Sequence, residues 1–325
     1  MIFYLFGVSF FIIFIYFLLL PYLKKLKFGQ VVREVGPRNH LKKNGTPTMG
    51  GALIFISFII VFLSLLVFIK LNYGIKFDYL FIMTLFIPLI GYFIIGFVDD
   101  LLIIVKRKNN GLKANLKFAM ELLVALMFYL SLIILDFDTK IRIFSFELDL
   151  LFFYGLLIIL MFTSTTNATN LTDGIDGLLT STTLPILVGY IILGLTYQNY
   201  LVVILSISLF ISLLLFLFFN FPKAKLFMGD TGSLFIGAFI AIIPILLKEE
   251  LSLLIFGFVY LFETLSVILQ VSYFKLSKGK RLFKMTPFHH HLELIGLSDF
   301  LINLIFFLCS SLFTFLGLVY TGVLF

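Results

Sequence analysis

The sequence contains no tryptophan, only one cysteine and few charges. Lys, Arg, Asp and Glu make up 13% of its 325 residues, whereas 61% of the residues are hydrophobic. Soluble domains are close to half apolar and a quarter charged, so this composition excludes a soluble protein. The single cysteine, Cys309, excludes a disulfide within one chain. We attribute the missing tryptophan, beside 44 phenylalanines, to genomic base composition rather than to function.

Long apolar runs take the place of the missing charge. A membrane-spanning helix needs about 20 mostly apolar residues, and ten runs approach or reach that length: 2–22, 49–69, 79–98, 116–136, 149–166, 178–195, 199–219, 233–247, 251–273 and 301–324. The runs are continuous and lack the alternation of a membrane β-barrel. No basic segment or cleavage site marks the first run as a signal peptide. The sequence therefore predicts an all-α integral membrane protein, one polytopic domain over 1–325 with about ten transmembrane helices.

The basic residues give an orientation. Of 24 Lys and Arg residues, 19 fall in the loops that follow odd-numbered runs, and loops rich in these residues stay in the cytoplasm. Both termini are therefore expected outside. The same excess of positive charge also suits an anionic ligand or lipid headgroup. The unusual polar residues gather in these cytoplasmic loops, whereas the outer loops are short and carry no comparable cluster.

Two adjacent acids, Asp99 and Asp100, end the third run. A charge at the centre of a bilayer costs about 2.5–3.5 kcal/mol, and an acid at a helix C-terminus opposes the helix dipole. We therefore expect the pair at a wet cleft, where carboxylates bind a divalent cation or accept a proton. An ordinary helix end at the membrane interface is the alternative.

The stretch TNATNLTDGIDGLLT, residues 166–180, places polar side chains at steps of three. This spacing keeps Asn167, Asn170, Asp173 and Asp176 on roughly one side of a helical turn, most cleanly a 3₁₀-like turn. Helix capping is an alternative, but it explains one such residue rather than four.

The last two cytoplasmic loops add a further acid and three histidines. Asp230 and Ser233 come just before an apolar run, where either could cap a helix, but the Asp230 carboxylate among acids and bases also suggests Mg²⁺ bridging phosphates. Phe227 could stack on a planar ring. The adjacent His289, His290 and His291 suit phosphate contacts better than zinc, with a plain loop as the alternative. Acids, bases and glycine turns at one membrane face favour phosphoryl transfer between a soluble substrate and a lipid phosphate.

The segments GTPTMGG, VDD, NATNLTDGIDGL, MGDTGS and PFHHHLE follow one another in this order. They resemble the bacterial phospho-N-acetylmuramoyl-pentapeptide transferases, a branch of the polyprenyl-phosphate N-acetylhexosamine-1-phosphate transferases. The resemblance covers nearly the whole chain, and the three histidines separate this branch from its siblings. It implies Mg²⁺-dependent transfer of phospho-MurNAc-pentapeptide from UDP-MurNAc-pentapeptide to undecaprenyl phosphate, giving lipid I and UMP, in the bacterial cytoplasmic membrane. No nucleic-acid partner is expected, and the family suggests a homodimer.

The resemblance also implies roles for individual residues. Asp230, with Asn170, would hold Mg²⁺. Asp99 would be the base or the lipid-phosphate contact, supported by Asp100. Lys117 and His289 would complete the catalytic group. The substrate site would be lined by Lys43, Thr48, Asn167, Asn170, Asp173, Asp176, Asn220, Phe227, Gln270, His290 and His291, with Phe227 and Asn220 on the uridine.

Three other functions remain open. A sibling transferase would use a UDP-N-acetylhexosamine, and the three histidines argue against it. A transporter would place ionisable residues near the midplane and often carries a repeat, and neither is evident. A structural membrane protein leaves the clustered acids unexplained. Direct attack and an aspartyl-phosphate intermediate are both compatible with the sequence.

Overall fold

The computed structural model describes residues 2–25, 47–106, 111–143, 146–221 and 223–324, so the predicted site residue Lys43 lies outside the described part. The described residues form twelve α-helices and one two-stranded hairpin. In chain order they are α1 (Ile2–Lys25), α2 (Gly50–Tyr73), α3 (Tyr79–Lys106), α4 (Ala114–Ile134), β1 (Lys140–Ile143), β2 (Phe146–Asp149), α5 (Phe153–Thr172), α6 (Leu178–Thr196), α7 (Tyr200–Asn220), α8 (Gly229–Leu247), α9 (Leu253–Phe256), α10 (Phe258–Leu276), α11 (Phe288–Leu294) and α12 (Asp299–Tyr320).

Eight of these helices are long and apolar enough to cross a membrane: α2, α3, α4, α6, α7, α8, α10 and α12. This finding confirms a largely helical, multi-pass membrane protein. The remaining two apolar runs correspond to α1 and to α5, which ends in the polar stretch. The count of ten spans, the single domain and the side on which the termini lie stay predictions.

Helix α8 lies at the centre of the bundle. It packs against α2, α3 and α5, and nearly every one of its residues is buried. A helix that is apolar on all sides is typical of such an interior position. Gly51 of α2 crosses α8 at Gly232 so closely that a Cβ on Gly51 would overlap the Gly232 backbone. The first turn of α8 is therefore held tightly by its neighbours.

The sequence predicted one continuous helix over the run 251–273, but in the structure this run is divided. A 3₁₀ turn (Glu250–Ser252) is followed by the short α9, and α10 begins only after Gly257. The Gly257 N–H bonds to the Leu253 carbonyl at 2.8 Å and closes α9. Glycine is a poor helix former, which fits a break at this position.

The loop between α4 and α5 contains the antiparallel hairpin of β1 and β2. The expectation that the outer loops carry no polar cluster is wrong here. Arg142 of β1 donates to Glu249 Oε1 at 3.0 Å, and Tyr197 donates to the same oxygen at 2.9 Å. Lys248 lies 3.4 Å from the buried Glu250. These contacts tie the hairpin to the ends of α6 and α8.

Candidate active site

Asp230 lies in the first turn of α8, at the opposite end of the bundle from the hairpin, and contacts side chains of α4 and α5. The Lys117 ammonium of α4 lies 2.5 Å from its Oδ2. The Asn170 side-chain amide of α5 donates to its Oδ1 at 2.8 Å and to Ser233 Oγ at 2.9 Å. Asn170 and Lys117, which lie 60 and 113 residues before Asp230 in the sequence, are thus in direct contact with it. The Asp230 side chain is still a quarter exposed.

Asp100 does not lie at a helix end, since α3 continues to Lys106, and its carboxylate caps the start of α8. Its Oδ2 accepts hydrogen bonds from the Thr231 N–H at 3.0 Å and the Thr231 hydroxyl at 2.6 Å, and its Oδ1 accepts from the Asp230 N–H at 3.2 Å. The first N–H groups of a helix have no partner within the helix, and α8 receives no side-chain cap from its own N-cap residue, Met228. The alternative in which Asp230 or Ser233 caps this helix is therefore wrong, because Asp100 supplies the cap.

Asp99 points into the site beside Asp230. Its Oδ1 accepts a hydrogen bond from the Leu112 N–H at 2.8 Å, and its carboxylate is close enough to interact with Asp230 and Lys117. The backbone at Gly111 passes directly over this carboxylate, within contact of a Cβ placed there. Asp99 thus makes one hydrogen bond to the described backbone where Asp100 makes two, which leaves more of its capacity for a ligand.

Negative charge is in excess around Asp230. Burial raises the pKa of the Asp173 carboxyl well above its usual range, and the negative charges of Asp230, Asp100 and Asp176 raise it further. Within hydrogen-bond distance of these acids, among the described residues, Lys117 is the cation. A pocket of several acids with one lysine attracts cations and proton-bearing ligands.

The site suits Mg²⁺ in its donor chemistry. The described residues contain no ready group of three His, Cys, Asp or Glu ligands. Mg²⁺, however, often takes only one or two carboxylates, with waters and substrate phosphates completing its shell. Asp230 offers such a carboxylate. Asn170 presents its amide nitrogen to Asp230 and would present its oxygen only after a rotation of the amide.

The polar stretch divides into a helical and a non-helical part. Asn167 and Asn170 lie on α5, which is α-helical to Thr172, so the expected 3₁₀ turn is wrong. Asp173 and Asp176 follow in the turn before α6. Asp176 Oδ2 accepts from the Ala224 N–H at 3.0 Å, and thereby fastens the turn to the loop before α8.

Asn220 and Phe227 lie in or beside that loop. The Asn220 side chain accepts from the Gly177 N–H at 2.7 Å and donates to the Leu226 carbonyl at 2.9 Å. The Phe227 backbone bonds to Pro47 and to Gly50, both at 2.8 Å. Two separate loops are thus fixed side by side. The buried Thr48 lies beside Gly229 at this junction.

His289 forms a buried pair with Glu263 of α10. Its backbone N–H bonds to Glu263 Oε1, and its ring Nδ1 lies 3.2 Å from Glu263 Oε2. A carboxylate at Nδ1 favours a proton there and leaves Nε2 as an acceptor. The Nε2 atom is buried and has no hydrogen-bond partner within the described chain. It faces Gly174, where any side chain would collide with the ring.

The remaining predicted residues of this region, Gln270, His290 and His291, bond to the segment between α10 and α11 and to α11 itself. Gln270 Oε1 accepts from the Leu282 and Phe283 N–H groups, at 3.1 and 2.8 Å. His291 Nδ1 accepts from the Lys284 N–H at 3.2 Å, and His290 Nδ1 lies 2.6 Å from Glu293 Oε2. These contacts shape the segment that leads into α11.

Sequence reasoning missed two buried acids, Glu263 and Glu121. The Glu121 carboxylate accepts from the Asn167 side chain at 2.8 Å. Both acids lie inside apolar runs, and an ionisable residue inside a span is by itself a signal of function. That signal was present in the sequence.

The known proteins to which the chain is similar carry one family name. Residues 79–248 match the family described as glycosyl transferase family 4, and residues 43–55 match phospho-N-acetylmuramoyl-pentapeptide-transferase signature 1. A protein of Shouchella clausii named phospho-N-acetylmuramoyl-pentapeptide-transferase is 46% identical over 94% of this chain and 92% of its own length. Proteins of the same name from Bacillus cytotoxicus and Staphylococcus saprophyticus are 42% and 43% identical, over 94% and 92% of this chain and 93% and 92% of their own lengths.

Proposed function

Because the chain belongs to the phospho-N-acetylmuramoyl-pentapeptide transferase family, we propose that it moves phospho-MurNAc-pentapeptide from UDP-MurNAc-pentapeptide to undecaprenyl phosphate. The products are lipid I and UMP. The proposed location is the bacterial cytoplasmic membrane, with the Asp230 end of the bundle facing the cytoplasm. The excess of Lys and Arg in the loops at that end supports this orientation.

The convergence of Lys117, Asn170 and Asp230 beside Asp99 carries the proposal. Phosphoryl transfer requires little covalent chemistry from the protein, and catalysis is mainly positioning and neutralisation of charge. Lys117 paired with Asp230 at the end of the helix bundle can supply both the positioning and the neutralisation of charge. The site lies at the ends of spanning helices, where a lipid phosphate and a soluble nucleotide can meet.

The proposed reaction exchanges one phosphorus–oxygen bond for another. An oxygen of the lipid phosphate bonds to the β-phosphorus of the UDP-sugar, and the bond from that phosphorus to the UMP oxygen breaks. Asp99 receives the proton if the lipid phosphate carries one, and otherwise orients it. Lys117 stabilises charge on the transferred phosphoryl group. Mg²⁺, held by Asp230 and the substrate phosphates, would supply further neutralisation of the diphosphate.

The pair of Glu263 and His289 is proposed to serve the sugar side of the site. The His289 ring is buried against Gly174, so the pair would act by holding in place the turn that carries Asp173 and Asp176. Phe227 is proposed to stack on the uracil ring. The Asn220 side chain bonds to backbone, so its proposed role is to hold the uridine-binding loop in place.

UMP release by the purified protein tests the proposal. Undecaprenyl phosphate is supplied with UDP-MurNAc-pentapeptide or with UDP-N-acetylglucosamine, each with and without Mg²⁺. Mg²⁺-dependent release with the muramoyl substrate alone is expected. Release with the other sugar would move the protein to a sibling branch, and silence with both would favour a transporter.

A matched pair of variants tests the site itself. Asp230→Asn should abolish most release, whereas Asp78→Asn should not. Asp78 lies before the start of α3, at the other end of the helix that carries Asp99, and in the described chain its carboxylate accepts from the Leu80 and Phe81 N–H groups. Parental turnover of Asp230→Asn would contradict the assignment.

A further inference from the structure

The hairpin between α4 and α5 has one charged face and one apolar face. Successive side chains of a strand point to opposite faces. The register pairs Lys140 with Asp149 and Arg142 with Glu147 on one face. On the other face, Ile141 pairs with Leu148 and Ile143 with Phe146. The hairpin is therefore amphipathic.

Only part of the apolar face is covered by protein. Ile141 is 6% exposed and belongs to the core, whereas Phe146 is 76% exposed. The exposed apolar surface continues along the chain to Phe152, which is 79% exposed. We call this surface the hairpin ridge, and it consists of Phe146, Leu148, Leu151, Phe152 and Phe153.

The hairpin ridge adjoins surfaces that face lipid. It lies between the end of α4, where Ile134 is exposed, and the start of α5, where Leu156 and Leu160 are exposed. An apolar patch of this kind on a protein marks a membrane or protein contact. Since Lys117 is near the start of α4, the length of this helix separates the ridge from Asp230 by about 30 Å. The ridge therefore belongs to the other membrane face.

The charged face is fixed to the bundle, so the ridge has a defined direction. Arg142 is anchored on Glu249, and the Lys248 ammonium donates to the Asp138 carbonyl at 2.6 Å. An open cleft of about 340 Å³ lies on this side, lined by Lys140, Arg142 and Tyr197 and also by the acids Asp138 and Glu147. Lysine, arginine and tyrosine are the side chains typical of the headgroup region.

We propose that the hairpin is a lipid-binding element of the outer leaflet. The hairpin ridge lies among phospholipid acyl chains, and the charged face lies in the polar layer of the bilayer surface. A bilayer offers acyl chains next to a polar interfacial layer, which matches an apolar face next to a face of mixed charge. The continuity with the exposed surfaces of α4 and α5 favours lipid over a second copy of the chain.

The absence of tryptophan makes a direct test practical. In Phe146→Trp the new side chain is the only indole, and it replaces an exposed aromatic ring. Glu147→Trp places the same indole on the opposite face of the same strand. Both variants are reconstituted in vesicles of phosphatidylethanolamine and phosphatidylglycerol, with or without brominated acyl chains. Mg²⁺-dependent UMP release at the distant site confirms that each variant is folded.

In Phe146→Trp we expect a blue-shifted emission that loses most of its intensity with brominated lipids. In Glu147→Trp we expect emission typical of water and little loss. Equal loss at the two positions, or emission typical of water from Phe146→Trp, would overturn the proposal. A blue-shifted emission that brominated lipid does not reduce would overturn it too, since protein would then cover the ridge. Phe152→Trp gives a second reading if Phe146→Trp does not fold.

Discussion

Replacement of Asp100 by asparagine should destabilise the start of α8, whereas the same replacement of Asp99 should not. The Asp100 carboxylate accepts three hydrogen bonds from Asp230 and Thr231. The Asp99 carboxylate accepts one from the described backbone, the Leu112 N–H. The two neighbours thus differ in how much structure depends on them, although they are adjacent in the sequence.

The magnitude follows from the geometry. An asparagine oxygen turned toward Thr231 keeps two bonds, but its NH₂ group then faces the Asp230 N–H, so one bond to a charged group is lost. Such a bond contributes about 1.5–3 kcal/mol, and loss of negative charge at a helix N-terminus costs a further 0.3–1 kcal/mol or so. Relief from burying a charge offsets part of this. We expect a net loss of about 2 kcal/mol for Asp100→Asn and close to zero for Asp99→Asn, whose amide oxygen still accepts from Leu112.

Thermal unfolding in detergent at one fixed scan rate measures the difference, because the midpoint of an irreversible transition depends on that rate. Roughly 2–4 °C per kcal/mol is typical of large domains, so Asp100→Asn should melt several degrees below Asp99→Asn. Thr231→Val, which removes only the hydroxyl bond, should fall between them. UMP release should drop in both aspartate variants. A midpoint for Asp99→Asn as low as that for Asp100→Asn would refute the capping role.

Three further outcomes follow from other parts of the structure. Glu263→Gln should lower kcat by about 10–100-fold, the effect typical of residues that orient a functional histidine, with little change in KM. Gly51→Ala should lower stability by about 1–3 kcal/mol, because the added methyl group overlaps the Gly232 backbone and the helices must separate; thermal unfolding measures it. Burial raises the pKa of Glu250, so the folded state favours the protonated acid. The contribution of this proton to stability is therefore full below the usual glutamate pKa of about 4.3, and it is lost as the pH rises through the raised pKa. Melting midpoints from pH 4 upward should therefore fall more steeply for the parent protein than for Glu250→Gln.

Each of these outcomes has a control. Gly7→Ala adds the same methyl group to α1 where nothing lies within 4 Å, and it should leave stability unchanged or slightly raised. Equal losses at Gly7 and Gly51 would contradict the overlap argument. A rise in KM without a fall in kcat would contradict a positioning role for Glu263. Parallel pH curves for the parent and Glu250→Gln would show that this carboxyl does not titrate with folding.

The sequence predicted the helices well where apolar runs are uninterrupted, because length and hydropathy suffice for a span. It did not predict the hairpin, although residues 140–143 and 146–149 alternate apolar and charged side chains, the period of a strand. The break falls at a single glycine, Gly257, which does not interrupt the apolar run.

Most residues of the candidate site could be identified from the sequence. Which of them support the fold and which are free to meet a ligand could not. Asp99 and Asp100 lie on different sides of α3. Asp100 faces the start of α8, and only the folded structure shows this. The contact between Lys117 and Asp230 joins positions 113 residues apart, and no local pattern specifies such a pair. Glu263 was overlooked because its surroundings are apolar, although burial next to His289 is the reason it can orient that ring.

The central place of α8 has a consequence for the biosynthesis of the protein. Asp99, Lys117 and Asn170 are synthesised before Asp230, which arrives on a helix that must enter between α2, α3 and α5. Helices that are already inserted associate in a second step through close packing and polar contacts. Until α8 docks, Lys117 lacks its partner and Asp100 has no helix to cap. The half-made chain therefore lacks the packing of α8 and the contacts of Asp230, and completion of the candidate active site coincides with closure of the bundle.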